Sequence, residues 1–154
     1  MVTDPHRLDG HVVLVTGAAR GIGRAVAGHL CERGATVVAR ELRESGYRAE
    51  HAVCDLANAH DVDRLVASVA DRHGRVDGLA NIAGTTHYGS FLDTTAEALD
   101  RVLHDNLFPA VVCAHAVARR MIEQPPRASG LRGAIVNMSS EAGQQVVTRF
   151  FAYG

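Results

Sequence analysis

Val12-Val13-Leu14-Val15-Thr16-Gly17-Ala18-Ala19-Arg20-Gly21-Ile22-Gly23 is the stretch that decides the fold. Val12 to Val15 is a continuous apolar run, the pattern of a parallel strand buried on both faces. Thr16-Gly17 closes it. From Gly21 to Arg33 the apolar residues Ile22, Val26 and Leu30 recur every four positions, so one helical face is apolar, and Gly34 stops the helix. A glycine-rich turn between a strand and a helix lets the backbone approach a pyrophosphate. The helix N-terminus there offers unpaired N–H groups and the positive end of its dipole. The plainer alternative is a tight connection with no ligand. It is not a P-loop, because no Lys-Ser/Thr pair follows.

Outward from this turn, apolar runs alternate with helical patterns, as in βαβ units around a parallel sheet. Strands are expected at Ala35 to Ala39, His51 to Asp55, Val76 to Ala83 and Ala134 to Ser140. Val62, Leu65, Val66 and Val69 give the segment Asp61 to His73 an amphipathic face, ended by Gly74. Thr94 or Thr95 can cap a helix with Glu97 in its first turn. Pro109 lies inside the stretch Ala96 to Glu123, which predicts two consecutive helices or one kinked helix. Gln124 to Gly133 reads as a surface loop. One connection is abnormal: Arg40 to Glu50 provides only eleven residues for a whole parallel crossover. Its helix is then vestigial, or the local topology is altered.

Composition narrows the function classes. The chain has 154 residues, enough for one domain with a sizeable core, and 1–154 is expected to be one. Sixteen basic and seventeen acidic residues leave a formal charge of −1, so no nucleic-acid or anionic-membrane footprint follows. Arg20, Arg24, Arg33 and Arg40 cluster early, either as solvated surface or facing a phosphate. Apolar runs are far too short to span a bilayer, and the N-terminus lacks a signal-peptide pattern. A cytoplasmic location is the expectation. Cys31, Cys54 and Cys113 are widely spaced and read as small buried hydrophobes in a reducing compartment. Nine His residues show no metal-ligand spacing, so no metal site is expected.

The end of the chain carries the second chemical signal. Ser140 closes a buried-looking strand, and Tyr153 follows thirteen positions later, one residue before the terminus. Taken alone, Ser140 is a strand-end hydroxyl, Tyr153 a half-buried aromatic and Asn106 a helix interruption. A donor hydroxyl and a phenol behind a nucleotide turn suit carbonyl or alcohol redox chemistry. Hydride transfer to a carbonyl builds negative charge on oxygen, which a hydroxyl such as that of Ser140 can stabilise. A phenol can act as acid or base, but its free pKa of about 10 needs a neighbouring cation to bring it toward working pH.

The spacing TGxxxGxG at Thr16, Gly17, Arg20, Gly21, Ile22 and Gly23 resembles the short-chain dehydrogenase/reductase family, in its classical type. Further matches arrive in that family's order. Asn81-Ile82-Ala83-Gly84 looks like its NNAG stretch, with Ala80 in place of the first Asn. Asp55, with Leu56 beside it, looks like the adenine contact. Asn106 in His104-Asp105-Asn106-Leu107 resembles the helix Asn of the catalytic tetrad. The strand through Asn137 resembles the one that delivers the catalytic Ser, here Ser140, and Tyr153 falls at the Tyr position. The resemblance covers nearly the whole chain. It implies a Rossmann-like doubly wound parallel α/β sheet of about five strands, incomplete and with a shortened second crossover. It further implies a nicotinamide dinucleotide held by the turn with Asp55, Leu56, Asn81, Ala83 and Gly84, and a small carbonyl or alcohol substrate.

Three further expectations rest on that resemblance. Arg40 at the end of the second strand favours NADP, with NAD possible if Glu41 or Glu44 enters the ribose site. The family's Lys, four residues after its Tyr, would stand at position 157, so this polypeptide alone is expected to be inactive or nearly so. The family's remaining strands and helices would follow Gly154, which would leave the fifth strand as an open edge. Self-association is expected through the helices spanning 96–123, the family's usual interface. Thr85 to Phe91 and Glu141 to Val147 can line a pocket but name no substrate. The competing readings are a dinucleotide-binding module without turnover and a folded remnant that neither binds nor catalyses.

Overall fold

The computed structural model describes residues 6–39, 49–145 and 148–153. Five parallel strands form one sheet in the order β3-β2-β1-β4-β5. They are β1 (Val12–Val15), β2 (Thr36–Ala39), β3 (Ala49–His51), β4 (Gly78–Asn81) and β5 (Ala134–Asn137). Three helices connect them: α1 (Gly21–Glu32), α2 (Ala59–His73) and α3 (Ala96–Glu123). This is the expected Rossmann-like α/β sheet. Among the described residues no helix is long and apolar enough to cross a membrane.

Alternation along the strands divides the core into two layers. Val12 and Leu14 of β1, Val38 of β2 and Leu79 of β4 pack with Val62, Val66 and Val69 of α2 and with Cys113 and Val117 of α3. Val13, Val15, Val37, Ala39 and Ala80 point the other way, onto Ala27 of α1. Helices therefore cover both faces of β1, which is why that strand is apolar at every position. Each fully buried valine contributes roughly 1.5–3 kcal/mol.

Helix ends follow the local chemistry. Asn58 caps α2 by accepting from His60 N–H and Asp61 N–H at 3.1 and 3.3 Å. Thr95, rather than Thr94, caps α3 by accepting from Ala98 N–H at 3.2 Å. Glu97 sits in that first turn, and hydrogen bonds from its own backbone and from Thr95 hold its carboxyl below the ordinary value.

Several expected boundaries shift. The third strand is Ala49–His51, not His51 to Asp55, because its register is set by the short β2: Val37 faces Ala49 and Ala39 faces His51. Ala52 N–H still donates to Ala39 O at 3.3 Å. The strands at Val76 to Ala83 and Ala134 to Ser140 shrink to Gly78–Asn81 and Ala134–Asn137, the length over which β4 pairs with β1 on one side and with β5 on the other. Among the described residues β5 is the sheet edge, as expected, with Val136 63% exposed. The crossover from β2 to β3 is even shorter than expected, spanning 40–48, yet the pair is parallel and the strand order is unaltered. Arg40, Glu41 and Glu44 lie outside the described residues.

Pro109 does not divide the long helix: Ala96–Glu123 is continuous. Two side chains bracket the proline. Asn106 Nδ2 donates to Val102 O at 2.8 Å, and Asn81 Nδ2 donates to Ala110 O at 3.0 Å. After α3, Gln124 is buried rather than part of a surface loop. Its amide accepts from Val76 N–H at 3.0 Å and donates to Val76 O at 2.8 Å, completing the approach to β4.

The base of β4 is held by a buried carboxylate. Asp77 accepts from Val12 N–H at 3.0 Å, from Arg75 Nε at 2.7 Å, and from Arg127 Nε and Nη2 at 2.7 Å each. Burial raises its pKa, but the bonds from Arg127, Val12 and Arg75 outweigh that and leave it below the ordinary value. A depressed folded pKa means the contribution is complete above the unfolded value of about 3.9 and is lost as pH falls through the folded one. Asp77→Asn is expected to lower unfolding stability at pH 7 by about 3 kcal/mol. In urea melts across pH, its deficit relative to wild type should persist down to about pH 4 and shrink only below that. An equal melt at pH 7 would remove Asp77 from this role.

Candidate active site

The site lies where the strand order turns, between β1 and β4, at the carboxyl ends of the strands. Connections leave β1 and β4 toward opposite faces there, so a crevice opens between them. A cavity of about 260 Å³ lies beside it, over the carboxyl ends of β1 and β2. Thr16, Gly17, Ala18 and Ala19 form one wall, Ala39 and Leu56 another, and Ala83 closes the side toward β4.

The crevice exists because backbones approach closely. Gly17 has φ +69°, and a Cβ there would stand 2.8 Å from Ala83 N and Cα. Both facts demand glycine. A Cβ on Gly23 would run into the Gly17 carbonyl, so the third glycine seats α1 against the turn. The Thr16 hydroxyl accepts from Ile82 N–H at 3.0 Å and from Ala83 N–H at 3.1 Å, tying the end of β1 to the loop after β4. Thr16 thus builds the crevice as well as lining it.

The start of α1 faces the same end of the sheet. Arg20 is its N-cap in extended backbone and makes no side-chain cap, and no acidic residue lies in the first turn. By contrast, Asn58 and Thr95 cap α2 and α3. Arg20, Gly21 and Ile22 are exposed. The amides of this first turn can receive an anion. On the far side, Asp55 is exposed, with Oδ1 accepting from Ala57 N–H at 3.0 Å, and it places Leu56 in the cavity wall. Cys54 also lines the cavity; burial, with the nearby Asp61 and Asp55, pushes its thiol pKa up. Cys113, deeper in the core, is pushed up to about 11 by burial. Both are thiols, not thiolates, at neutral pH.

Asn81 is buried at 5% exposure, and its amide is committed to the fold: Nδ2 donates to Ala110 O and, at 2.9 Å, to Asn137 Oδ1. Asn106 is equally engaged. Its Oδ1 accepts from Thr85 N–H at 2.9 Å, and a Cβ on Gly84 would stand 2.6 Å from that oxygen. Gly84 is therefore required by Asn106, which fixes the loop leaving β4.

Ser140 stands just beyond β5. Its Oγ accepts from Ala142 N–H at 3.2 Å, capping the 3-10 turn Glu141–Gly143. That leaves the hydroxyl proton free to donate. Tyr153 reaches the region through a return of the chain. Gly89 N–H donates to Arg149 O at 2.7 Å, and Phe150 stacks edge-on against Tyr88 with centroids 5.4 Å apart. Tyr153 then lies 6.3 Å from Phe150. Among the described residues no hydrogen bond joins the Tyr153 hydroxyl to Ser140 or Asn106. Of the expected nucleotide residues Thr16, Gly17, Leu56 and Ala83 line one cavity; among the described residues the three catalytic candidates are not linked to one another by hydrogen bonds.

Sequence reading missed the small residues Ala39 and Ala52 and the thiol of Cys54 in the cavity wall. It also missed the Asn81–Asn137 pair. The register of two asparagines at equivalent strand ends was the available signal for that pair.

Comparison with known proteins gives a family. The short chain dehydrogenase profile matches residues 11–154. The chain is 36% identical over 159 residues to D-threitol dehydrogenase of Mycolicibacterium smegmatis, covering 96% of this chain and 59% of that protein. It is 36% identical over 154 residues to human L-xylulose reductase, covering 95% and 59%. It superposes on a gluconate 5-dehydrogenase of Burkholderia cenocepacia, solved with NADP and tartrate, with TM-score 0.85 and 31% identity, covering 97% of this chain and 61% of the other. The chain thus spans about three fifths of the length of these relatives.

The cross-link made by Thr16 is testable. Thr16→Val leaves two part-buried amides without an acceptor, at about 1–3 kcal/mol in unfolding free energy. Thr16→Ser retains the acceptor and should recover most of the loss in the same urea melt.

Proposed function

The chain belongs to the short-chain dehydrogenase family, and from that premise we propose that it carries a working NADP site and an oxidoreductase's catalytic residues, with little or no turnover by this polypeptide alone. The observation that carries the reading is the cavity at the switch point. It is bounded by a turn in which Gly17 and Gly23 admit no side chain, and it adjoins an α1 N-terminus with no side-chain cap. These residues fit the adenosine and pyrophosphate half of a nicotinamide dinucleotide. Thr16, Gly17, Leu56 and Ala83 would line its seat, Arg20 to Gly23 would face the phosphates, and Asp55 and Gly84 would border it. Asn81 would hold the strand ends in register. Once bound, such a dinucleotide supplies or accepts hydride.

On this reading Ser140 donates its hydroxyl proton to a substrate oxygen, and Tyr153 gives or takes the proton at that oxygen. Asn106 holds the loop at Thr85 beside them. The substrate class is a small carbonyl or alcohol, and the relatives that act on sugars and polyols keep that class open without naming a compound. NADP is preferred because Arg40 directly follows β2 in the sequence, where an Arg favours a 2′-phosphate; NAD is the alternative. A cytoplasmic setting fits Cys31, Cys54 and Cys113 standing as thiols rather than disulfides.

A second reading, dinucleotide binding without chemistry, is favoured by Tyr153, whose hydroxyl has no hydrogen bond to Ser140 or Asn106 among the described residues. The two readings share the first experiment. Titration with NADPH and NADH is expected to give saturable quenching and a thermal upshift, larger for NADPH. At one hundred times Kd the stabilisation is about 2.7 kcal/mol. Arg40→Glu should reverse the preference. No shift with either nucleotide would overturn both readings. Clear ketone reduction by the unmodified chain, abolished in Tyr153→Phe, would decide for full activity.

Self-association through α3 is part of the same proposal. Leu99, Leu103, Leu107 and Val111 recur every four residues and are 39%, 44%, 54% and 58% exposed. Val117 faces the core at 0% and is no part of that stripe. Leu103→Glu is expected to abolish association through α3 in sedimentation velocity while leaving the melt within a few degrees of wild type.

A further inference from the structure

On the dinucleotide reading of the cavity beside the glycine turn, we infer that this chain recognises the base of its nucleotide by shape and apolar contact rather than through the 6-amino group, so that adenine and hypoxanthine dinucleotides bind alike. The amides of the glycine turn and of the first turn of α1 suit phosphate. That places the base at the opposite wall, between β2, the chain after β3, and α2.

This wall continues the hydrophobic core. Leu14 and Val38 are buried, and Ala52, Cys54, Leu56 and Leu65 pack against the same core cluster. All six line the cavity. Polar atoms of the wall are engaged with one another. Ala52 N–H donates to Ala39 O at 3.3 Å, and Asn58 N–H donates to Asp55 O at 3.1 Å. The Cys54 thiol donates to that same Asp55 carbonyl at 3.6 Å.

The family resemblance makes Asp55 the adenine contact, but here its carboxylate serves its own loop. Oδ1 accepts from Ala57 N–H at 3.0 Å, and Asp55 is exposed, while Leu56 beside it occupies the cavity wall. Sites of this kind hold a ring mainly by apolar side chains. A base lying over Leu56 and Leu65 buries its rings against them. Pressing its amino group into the same wall would strip water from it without a partner. The amino edge therefore lies toward the open side of the cavity. In water, the 6-amino group of adenine and the 6-oxo group of hypoxanthine are both hydrogen-bonded to solvent, and neither is preferred.

Titration of the 154-residue chain with NADPH and with its hypoxanthine analogue, followed by nicotinamide fluorescence, tests this. The two dissociation constants are expected to agree within about threefold, whereas a carboxylate that accepts from the amino group would cost the analogue about tenfold or more. Asp55→Ala removes the acceptor for Ala57 N–H and should weaken both nucleotides by the same factor. Asp55→Asn keeps an acceptor there and should recover both alike. A loss beyond about threefold for the analogue, or a loss in Asp55→Ala confined to NADPH, overturns the inference and leaves the dinucleotide reading in place. Binding of neither nucleotide overturns that reading and the inference with it.

Discussion

Everything at the functional end of this molecule depends on the approach of the Gly17 backbone to that of Ala83. Two connections leave neighbouring strands at this point, and their backbones come within a distance that no side chain could share. Thr16 locks the approach with two hydrogen bonds from the Ile82 and Ala83 amides. The lock determines the width of the crevice, and the crevice is what a dinucleotide would enter. Gly23 extends the same constraint to α1, whose first turn can lie against the glycine loop only because Gly23 has no Cβ.

A second constraint acts at the opposite end of the strands. Asp77 gathers the Val12 amide and two guanidinium groups at the base of β4. The carboxylate is buried, so its cost is offset only by complete hydrogen bonding, and Arg75, Arg127 and Val12 supply it. Between these two ends, β1 and β4 are held in register, with Val13 beside Gly78 and Val15 beside Ala80. The central strands are thus fixed at both ends, whereas β5 is fixed on one side only.

The polar residues of the site have a double character. Asn81, Asn106 and Thr16 would be assigned by motif to cofactor or substrate, yet each spends hydrogen-bonding capacity on the protein itself. Asn81 joins β4 to β5 and α3, and Asn106 joins α3 to the loop after β4. They hold the surroundings in place. Ser140 differs, because as a cap it only accepts and keeps a proton to donate. Tyr153 differs again: aromatic contacts to Phe150 and, through it, to Tyr88 place it, without any polar partner among the catalytic candidates.

By itself the sequence determined what depends on neighbours along the chain. Apolar runs located β1, β2, β4 and β5, four-residue periodicity located α1 and α2, and the glycine spacing located the turn between β1 and α1. Local side-chain chemistry was legible in the same way, as with the cap at Thr95. Tertiary structure decided what depends on neighbours in space. The short β2 ended β3 at His51, so the third strand could not run to Asp55. Pro109 sits inside one helix rather than between two, a choice its position in the sequence left open. Gln124, in a loop by composition, became a buried plug because Val76 needed its amide. The apolar run of β5 marked a strand, because hydrophobicity records which side chains want cover, and not whether another strand stands beside them. Strand order alone made it an edge, and strand order is set by pairings between residues that the sequence keeps far apart.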